Sequence, residues 1–193
     1  MTGTRIRLFQ DEDWDDVVAL EALAYGASGL SEGREALRSR HRASPSTCFV
    51  LEHAGAFGGY LLALPYPLFR CPDLSLAEES AARPRDRGGN LHVHDLVVAE
   101  GIRGRGLAPR MLRHLEEAGR AARHRSLSLV AVSGSRSWWS RLGYRARPEV
   151  ALPASYGAEA VYMTKSPEPA ADVPGPAADA PPDLSAPPGG SAP

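Results

Sequence analysis

The chain has 193 residues, with 22 Lys+Arg against 23 Asp+Glu and a formal net charge of −1. That length supports one domain with a real core, and no apolar run approaches the roughly 18–20 residues that a membrane span needs. Two cysteines without paired spacing, Cys48 and Cys71, exclude a disulfide scaffold and a Cys-rich zinc module. The opening residues Met1-Thr2-Gly3-Thr4-Arg5 lack the pattern of a secretory signal, so a reducing, cytoplasmic setting is expected.

The near-neutral total hides an asymmetry. The segment from Ser166 to Pro193 holds 9 of the 17 prolines and four acids, and no Lys or Arg. Such a segment cannot bury enough apolar surface to offset its ordering entropy, so residues 166–193 are expected to be a disordered Pro/Ala-rich acidic tail. Residues 1–165, the expected domain, carry 22 basic and 19 acidic side chains. A mild positive balance of this kind suits an anionic ligand and falls short of a nucleic-acid footprint.

Along the chain, Arg5 to Phe9 alternates and predicts a first strand. Asp11 is a plausible N-cap for a helix with Trp14, Val17, Leu20 and Ala24 on one face. Tyr25 to Gly33 is loop-like, and Glu35 to Arg42 predicts a short helix ending before Pro45. Cys48 to Glu52, a turn at Gly55 and Phe57 to Leu64 form a hairpin pattern. A long connection runs from Tyr66 to Asn90, and a connection of that length inside a domain is a binding loop or a disordered one. Leu91 to Ala99 is an apolar strand interrupted by His92, His94 and Asp95. A Gly/Arg turn comes next, then a helix carrying Met111, Leu112, Leu115 and Ala118, then a strand at Ser126 to Val132. Ser137 to Leu142 predicts a short helix, and Arg147 to Leu152 and Ala160 to Thr164 predict two closing strands. The order describes one mixed α/β domain.

The turn Gly101-Ile102-Arg103-Gly104-Arg105-Gly106-Leu107-Ala108 has the makings of an anion site. A strand that ends in a Gly-rich turn and opens a helix presents unpaired N–H groups, and the helix dipole adds to them. Gly104 and Gly106 allow close backbone approach, and Arg103 and Arg105 add charged donors. The turn is not a Walker loop, because it has no lysine and no Gly-Lys-Ser/Thr ending. It is not a dinucleotide fingerprint either, because Pro109 lies just beyond Gly106 and the next strand ends in Val132-Ser133-Gly134 without the expected acid.

These residues resemble a family. Arg103-Gly104-Arg105-Gly106-Leu107-Ala108 is similar to the Arg/Gln-x-x-Gly-x-Gly/Ala signature of the GCN5-related N-acetyltransferases (GNAT superfamily). Asp95-Leu96-Val97-Val98 resembles the family's fourth strand, and Trp138 to Tyr144 resembles its Phe-Tyr-x-x-x-Gly-Phe segment. The resemblance implies an acyl-CoA-binding α/β fold, with a mixed central sheet of about six to seven strands and helices on both faces. It implies acetyl-CoA as cosubstrate and an amine as acceptor. Backbone groups of Leu96, Val97 and Val98 would then pair with the pantetheine arm, and the amides of Arg103, Gly104, Arg105, Gly106, Leu107 and Ala108 would cradle the pyrophosphate.

An amine with a pKa of about 10 is nucleophilic in only roughly one molecule in a thousand at pH 7. A general base that takes its proton contributes on the order of 10²–10⁴ in rate. In the diamine acetyltransferases that this strand resembles, a glutamate at the His94 position is the proposed base. His94 is therefore the base candidate, and Asp95 a candidate orienting or substrate-binding carboxylate. His92 and His94 on one strand face also raise a metal reading, but a closed zinc site needs further ligands, and no metal is expected.

The chain departs from the family at Trp139, where many members place a tyrosine that protonates the leaving thiolate. An indole N–H is no useful acid, which leaves the acid unassigned. Tyr156 could reach the site from its Ser-Tyr-Gly turn. The expected function is N-acetylation of a small-molecule amine, such as an amino acid, polyamine or aminated antibiotic, by a cytoplasmic protein that admits a homodimer. The substrate loops would be Tyr25 to Gly33 and Tyr66 to Asn90. A protein-directed acetyltransferase and a catalytically weak acyl-CoA-binding module are the alternatives.

Overall fold

A computed structural model describes residues 3–78 and 89–166. The expected tail, apart from Ser166, lies outside the described residues, as does the 79–88 part of the long connection. Alternating apolar residues build strands β1 (Thr4–Leu8), β2 (Phe49–His53), β3 (Ala56–Pro65), β4 (Asn90–Val98), β5 (Ser126–Ala131), β6 (Arg145–Ala146) and β7 (Val161–Lys165). The helices are α1 (Trp14–Tyr25), α2 (Arg34–Ala43), α3 (Leu107–Ala121) and α4 (Arg136–Arg141). The strands form one sheet in the order β1-β2-β3-β4-β5-β7-β6, mixed because β4 and β5 run parallel while the other pairs are antiparallel.

Helices cover both faces, and each face has its own core. Leu107, Met111, Leu112 and Leu115 of α3 pack on Leu61, Leu91, Val93 and Leu129. This is the apolar stripe that their helical spacing requires. On the other face Trp14 and Val17 of α1 and Leu37 of α2 pack on Tyr60, Leu62 and Val97. The central strands approach very closely near the end of β4: a Cβ on Gly59 would lie 2.5 Å from the Val97 carbonyl oxygen. Among the described residues no helix is long and apolar enough to cross a membrane.

Two local expectations need correction. Residues 147–152 do not form a strand. Arg147 donates once to the Tyr162 carbonyl (2.8 Å), after which the chain turns, with the Val150 amide on the Arg147 carbonyl (3.1 Å). Pro148 has no N–H to continue the ladder, so the strand is cut to Arg145–Ala146. The carboxylate at the entry to α1 is Asp13 and not Asp11. Asp13 accepts the Gln10 amide (2.7 Å) and is gripped by both terminal nitrogens of Arg7 (2.7 Å each).

Two features of β4 open a site beside it. First, its pairing with β5 runs only from Asn90↔Ser126 to Val93↔Leu129, although β4 continues to Val98 and β5 to Ala131. The strands splay, and the β5-facing backbone of the last part of β4 is left without a ladder partner. Second, the register against β3 steps from Leu62↔Asp95 to Ala63↔Val93, so His94 is the extra residue of a β-bulge. A bulge re-aims side chains, and here it turns two successive residues, His94 and Asp95, toward the α1–α2 face.

Candidate active site

Two cavities meet at the splay. The first, about 580 Å³, runs along Leu96, Val97 and Val98 to Arg103, Gly104, Gly106, Leu107 and Ala108. All but one of the expected donor-binding residues therefore line a single cleft. Arg105 is exposed and does not line it. Gly104 and Gly106 have φ of +75° and +72°, a region where L side chains are strained, and a Cβ on either would meet no atom within 4 Å. The Gly106 carbonyl accepts the Arg110 amide (3.2 Å), and Pro109 has no N–H, so the amides of Leu107 and Ala108 are the orphan donors of the first helical turn. Arg103 folds back, its Nε donating to the Val98 carbonyl (2.9 Å) and fixing the turn to the end of β4. An open cradle of backbone amides beside arginine fits a pyrophosphate. The orphaned edge of β4 fits an extended amide-bearing chain such as pantetheine.

The second cavity, about 260 Å³, opens from the first past Ala24, Tyr25, Leu96 and Trp138, which line both. His94 lines this chamber, and its Nε2 is hydrogen-bonded to the carboxylate of Glu32, from the α1–α2 loop. Burial raises the Glu32 carboxyl, but His94 and Arg40 outweigh it and hold it below the usual carboxylate range. An ionised carboxylate can only accept, which places the His94 proton on Nε2. The other ring nitrogen, Nδ1, is buried and has no hydrogen-bond partner among the described residues.

Glu32 is held in turn. Its second oxygen takes Arg40 Nη2 (2.8 Å), and its backbone amide donates to Glu21 (2.7 Å), which also accepts from Ser31 (2.6 Å). Arg40, 1% exposed, reaches beyond Glu32 to the Glu78 carboxylate (2.8 Å) and the carbonyls of Asp73 and Leu76 (2.7 Å each).

Asp95 lies on the same face but shares no hydrogen bond with His94 among the described residues. It accepts from Tyr25 (2.7 Å) and from Tyr60. Burial pushes its carboxyl up to about 6, against these two hydrogen bonds. The carboxylate that orients His94 is therefore Glu32, and Asp95 does not fill that part of its expected role. Its place in the chamber wall leaves the substrate-side part open. His92 shares the His94 face, with ring centroids 6.5 Å apart, but it is buried, bonded to Ser128 Oγ (2.9 Å) and stacked on Tyr162. No group of three or more His, Cys, Asp or Glu among the described residues could hold a metal ion. Trp139 is buried edge-on against Tyr144. Tyr156 lines the chamber, but its hydroxyl donates to the Pro72 carbonyl (2.9 Å).

Sequence reasoning missed Glu32, Arg40, Tyr25 and Tyr60. Two of these lie in the Tyr25 to Gly33 segment expected to bind substrate, but no spacing singles them out, because each meets its partners only in the folded chain.

With the geometry in place, comparison with known proteins decides the family. Residues 14–144 match the family model described as "Acetyltransferase (GNAT) family". The chain belongs to the GNAT acetyltransferases. It is an acyltransferase whose cosubstrate is acetyl-CoA. No curated protein matches it. Solved structures share the fold at low identity. The loading GNATL domain of CurA from Lyngbya majuscula has a TM-score of 0.68 at 14% identity, covering 85% of this chain and 98% of that one. An N-acetylglutamate synthase from Neisseria gonorrhoeae, complexed with coenzyme A and N-acetyl-glutamate, has a TM-score of 0.64 at 17% identity, covering 86% and 35%. Arabidopsis thaliana Naa50, in complex with the bisubstrate analogue CoA-Ac-MVNAL, has a TM-score of 0.55 at 11% identity, covering 84% and 98%.

Proposed function

We propose that this GNAT acetyltransferase moves the acetyl group of acetyl-CoA to a primary amine of a small molecule, with His94 as the general base. The observation that carries the reading is the His94 ring itself. Its Nε2–H is committed to Glu32, its buried Nδ1 has no hydrogen-bond partner among the described residues, and the residue lines the chamber. This is the tautomer and orientation that a base needs, set by a carboxylate on the far nitrogen. The donor lies along Leu96 to Val98, its pyrophosphate on the amides of the Arg103 to Ala108 turn. The thioester is then at the junction of the two cavities. The amine attacks the thioester carbon, His94 Nδ1 takes the amine proton, and the C–S bond breaks. A thiolate with a pKa near 8.5 leaves without a dedicated acid, in keeping with an indole at Trp139.

The small-molecule acceptor is supported by how the chamber is bounded. The Leu30–Glu32 loop and the segment carrying Leu74 meet at its wall, and Arg40 bonds both segments together. Free-thiol release with a panel of amines tests the reading. Wild type should release thiol with small amines in excess of its rate with peptides. His94→Ala should lower kcat by about 10²-fold or more, with coenzyme A binding nearly intact. Wild-type kcat in His94→Ala would make His94 structural.

A further inference from the structure

The chamber has a charge composition that discriminates among amines. Its charged side chains among the described residues are three carboxylates, Glu21, Glu32 and Asp95, and no described Lys or Arg lines it. Every oxygen of the three already accepts a hydrogen bond: Glu21 from Ser31 and the Glu32 amide, Glu32 from His94 and Arg40, Asp95 from Tyr25 and Tyr60. Arg40 lies behind Glu32, its terminal nitrogens taken by Glu32, Glu78 and two carbonyls. Much of the remaining wall is apolar, with Leu30, Leu74, Leu96, Val132 and Trp138.

We infer that the acceptor is a primary monoamine with an apolar body and no carboxylate, an inference that rests on the amine-acetyltransferase reading above. The wall imposes three requirements. A single ammonium arriving at the chamber meets a negative field that favours its entry; it gives its first proton to solvent, and the neutral amine that attacks gives the second to His94. An acceptor carboxylate would lie beside three like charges with no cation among the described residues to meet it, an unfavourable place for a desolvated anion. A second ammonium, at the far end of a diamine, would have to give up water against a wall rich in leucine and tryptophan. At about 260 Å³ the chamber is less than half the size of the donor cleft of about 580 Å³, so the body is small.

Matched acceptors isolate each requirement. Phenethylamine and phenylalanine differ only in the carboxylate, and phenylalaninamide keeps the bulk of the second without its charge. Hexylamine and 1,6-diaminohexane differ only in the second amine. With the full chain and acetyl-CoA, kcat/KM for phenethylamine should exceed that for phenylalanine by about 100-fold or more, with phenylalaninamide within about tenfold of phenethylamine. Hexylamine should exceed 1,6-diaminohexane by about tenfold. Leu74→Ala should raise KM for phenethylamine by about tenfold and leave KM for acetyl-CoA unchanged. Phenylalanine or the diamine used as well as its partner overturns the inference and leaves the amine-acetyltransferase reading standing. Thiol release with no amine overturns that reading and the inference with it.

Discussion

Glu32 and Asp95, which line the chamber with His94, are two carboxyls driven in opposite directions by their neighbours. His94 and Arg40 hold Glu32 ionised, whereas Asp95, with only two hydroxyl donors, is pushed up to about 6 by burial. A carboxyl that titrates higher folded than unfolded binds more protons in the folded state between its unfolded value near 4 and its folded value near 6. Stability therefore falls as pH rises through that window, and the full loss is present above it. Asp95→Asn removes the charge and keeps the shape. It should stabilise the protein at pH 8 by on the order of 2–3 kcal/mol, with no gain at pH 3.5. Thermal melts of both proteins from pH 3.5 to 8 check this, and a less stable Asp95→Asn at pH 8 would refute it. Glu32→Gln tests the other arm. Its neutral amide no longer fixes the His94 proton on Nε2, so kcat should fall about 10-fold or more and the acidic limb of the pH–rate profile should move. His94 was legible because polar residues interrupt an apolar strand. Glu32 was not, because no local pattern tells a loop glutamate that meets a histidine 62 residues away from one that meets water.

At the scale of elements, the turn between β4 and α3 does what its sequence implies. Strand, glycines and helix are contiguous in the chain, so local rules suffice. Both glycines are in the left-handed region and face open space. Gly106→Glu should therefore act twice, straining the backbone and placing a negative charge beside the orphan amides of Leu107 and Ala108. Coenzyme A affinity measured by calorimetry should fall well over tenfold, and equal affinity would remove the anion-site reading. Gly106→Ala, which adds strain without charge, should lose much less. The same local logic recovered, among the described residues, six of the seven strands and the four helices. It failed where a tertiary feature decides. Pro148 ends β6 after two residues despite the apolar Val150 and Leu152 beyond it. The bulge at His94 carries no glycine or proline to announce it, yet it decides that His94 and Asp95 share a face.

Across the whole molecule, one buried guanidinium joins segments far apart in the chain. Arg40 of α2 bonds Glu32 before it, and the Asp73 carbonyl, the Leu76 carbonyl and Glu78 after the β2–β3 hairpin. Its side chain and both carboxylates are 5% exposed or less. A buried ion cluster adds little stability over a well-packed apolar one, but removing a single partner leaves the other charges stranded. Arg40→Leu takes the buried cation from two carboxylates and two carbonyls at once, so urea unfolding should show a loss of about 3–5 kcal/mol. Because Glu32 then loses the cation that shares its charge with His94, kcat should fall as well. Adding Glu78→Gln to Arg40→Leu should recover part of the stability, since one carboxylate that faced the lost cation is now neutral, but not kcat, since Glu32 still lacks Arg40. Arg42→Leu is the control: its partner Glu35 is largely exposed, so solvent screens that pair and no measurable change is expected. If Arg40→Leu unfolds at the same urea concentration as Arg42→Leu, Arg40 does not hold these segments together. If its stability falls but kcat stands, the cluster fastens the chain over the chamber without setting the Glu32–His94 pair.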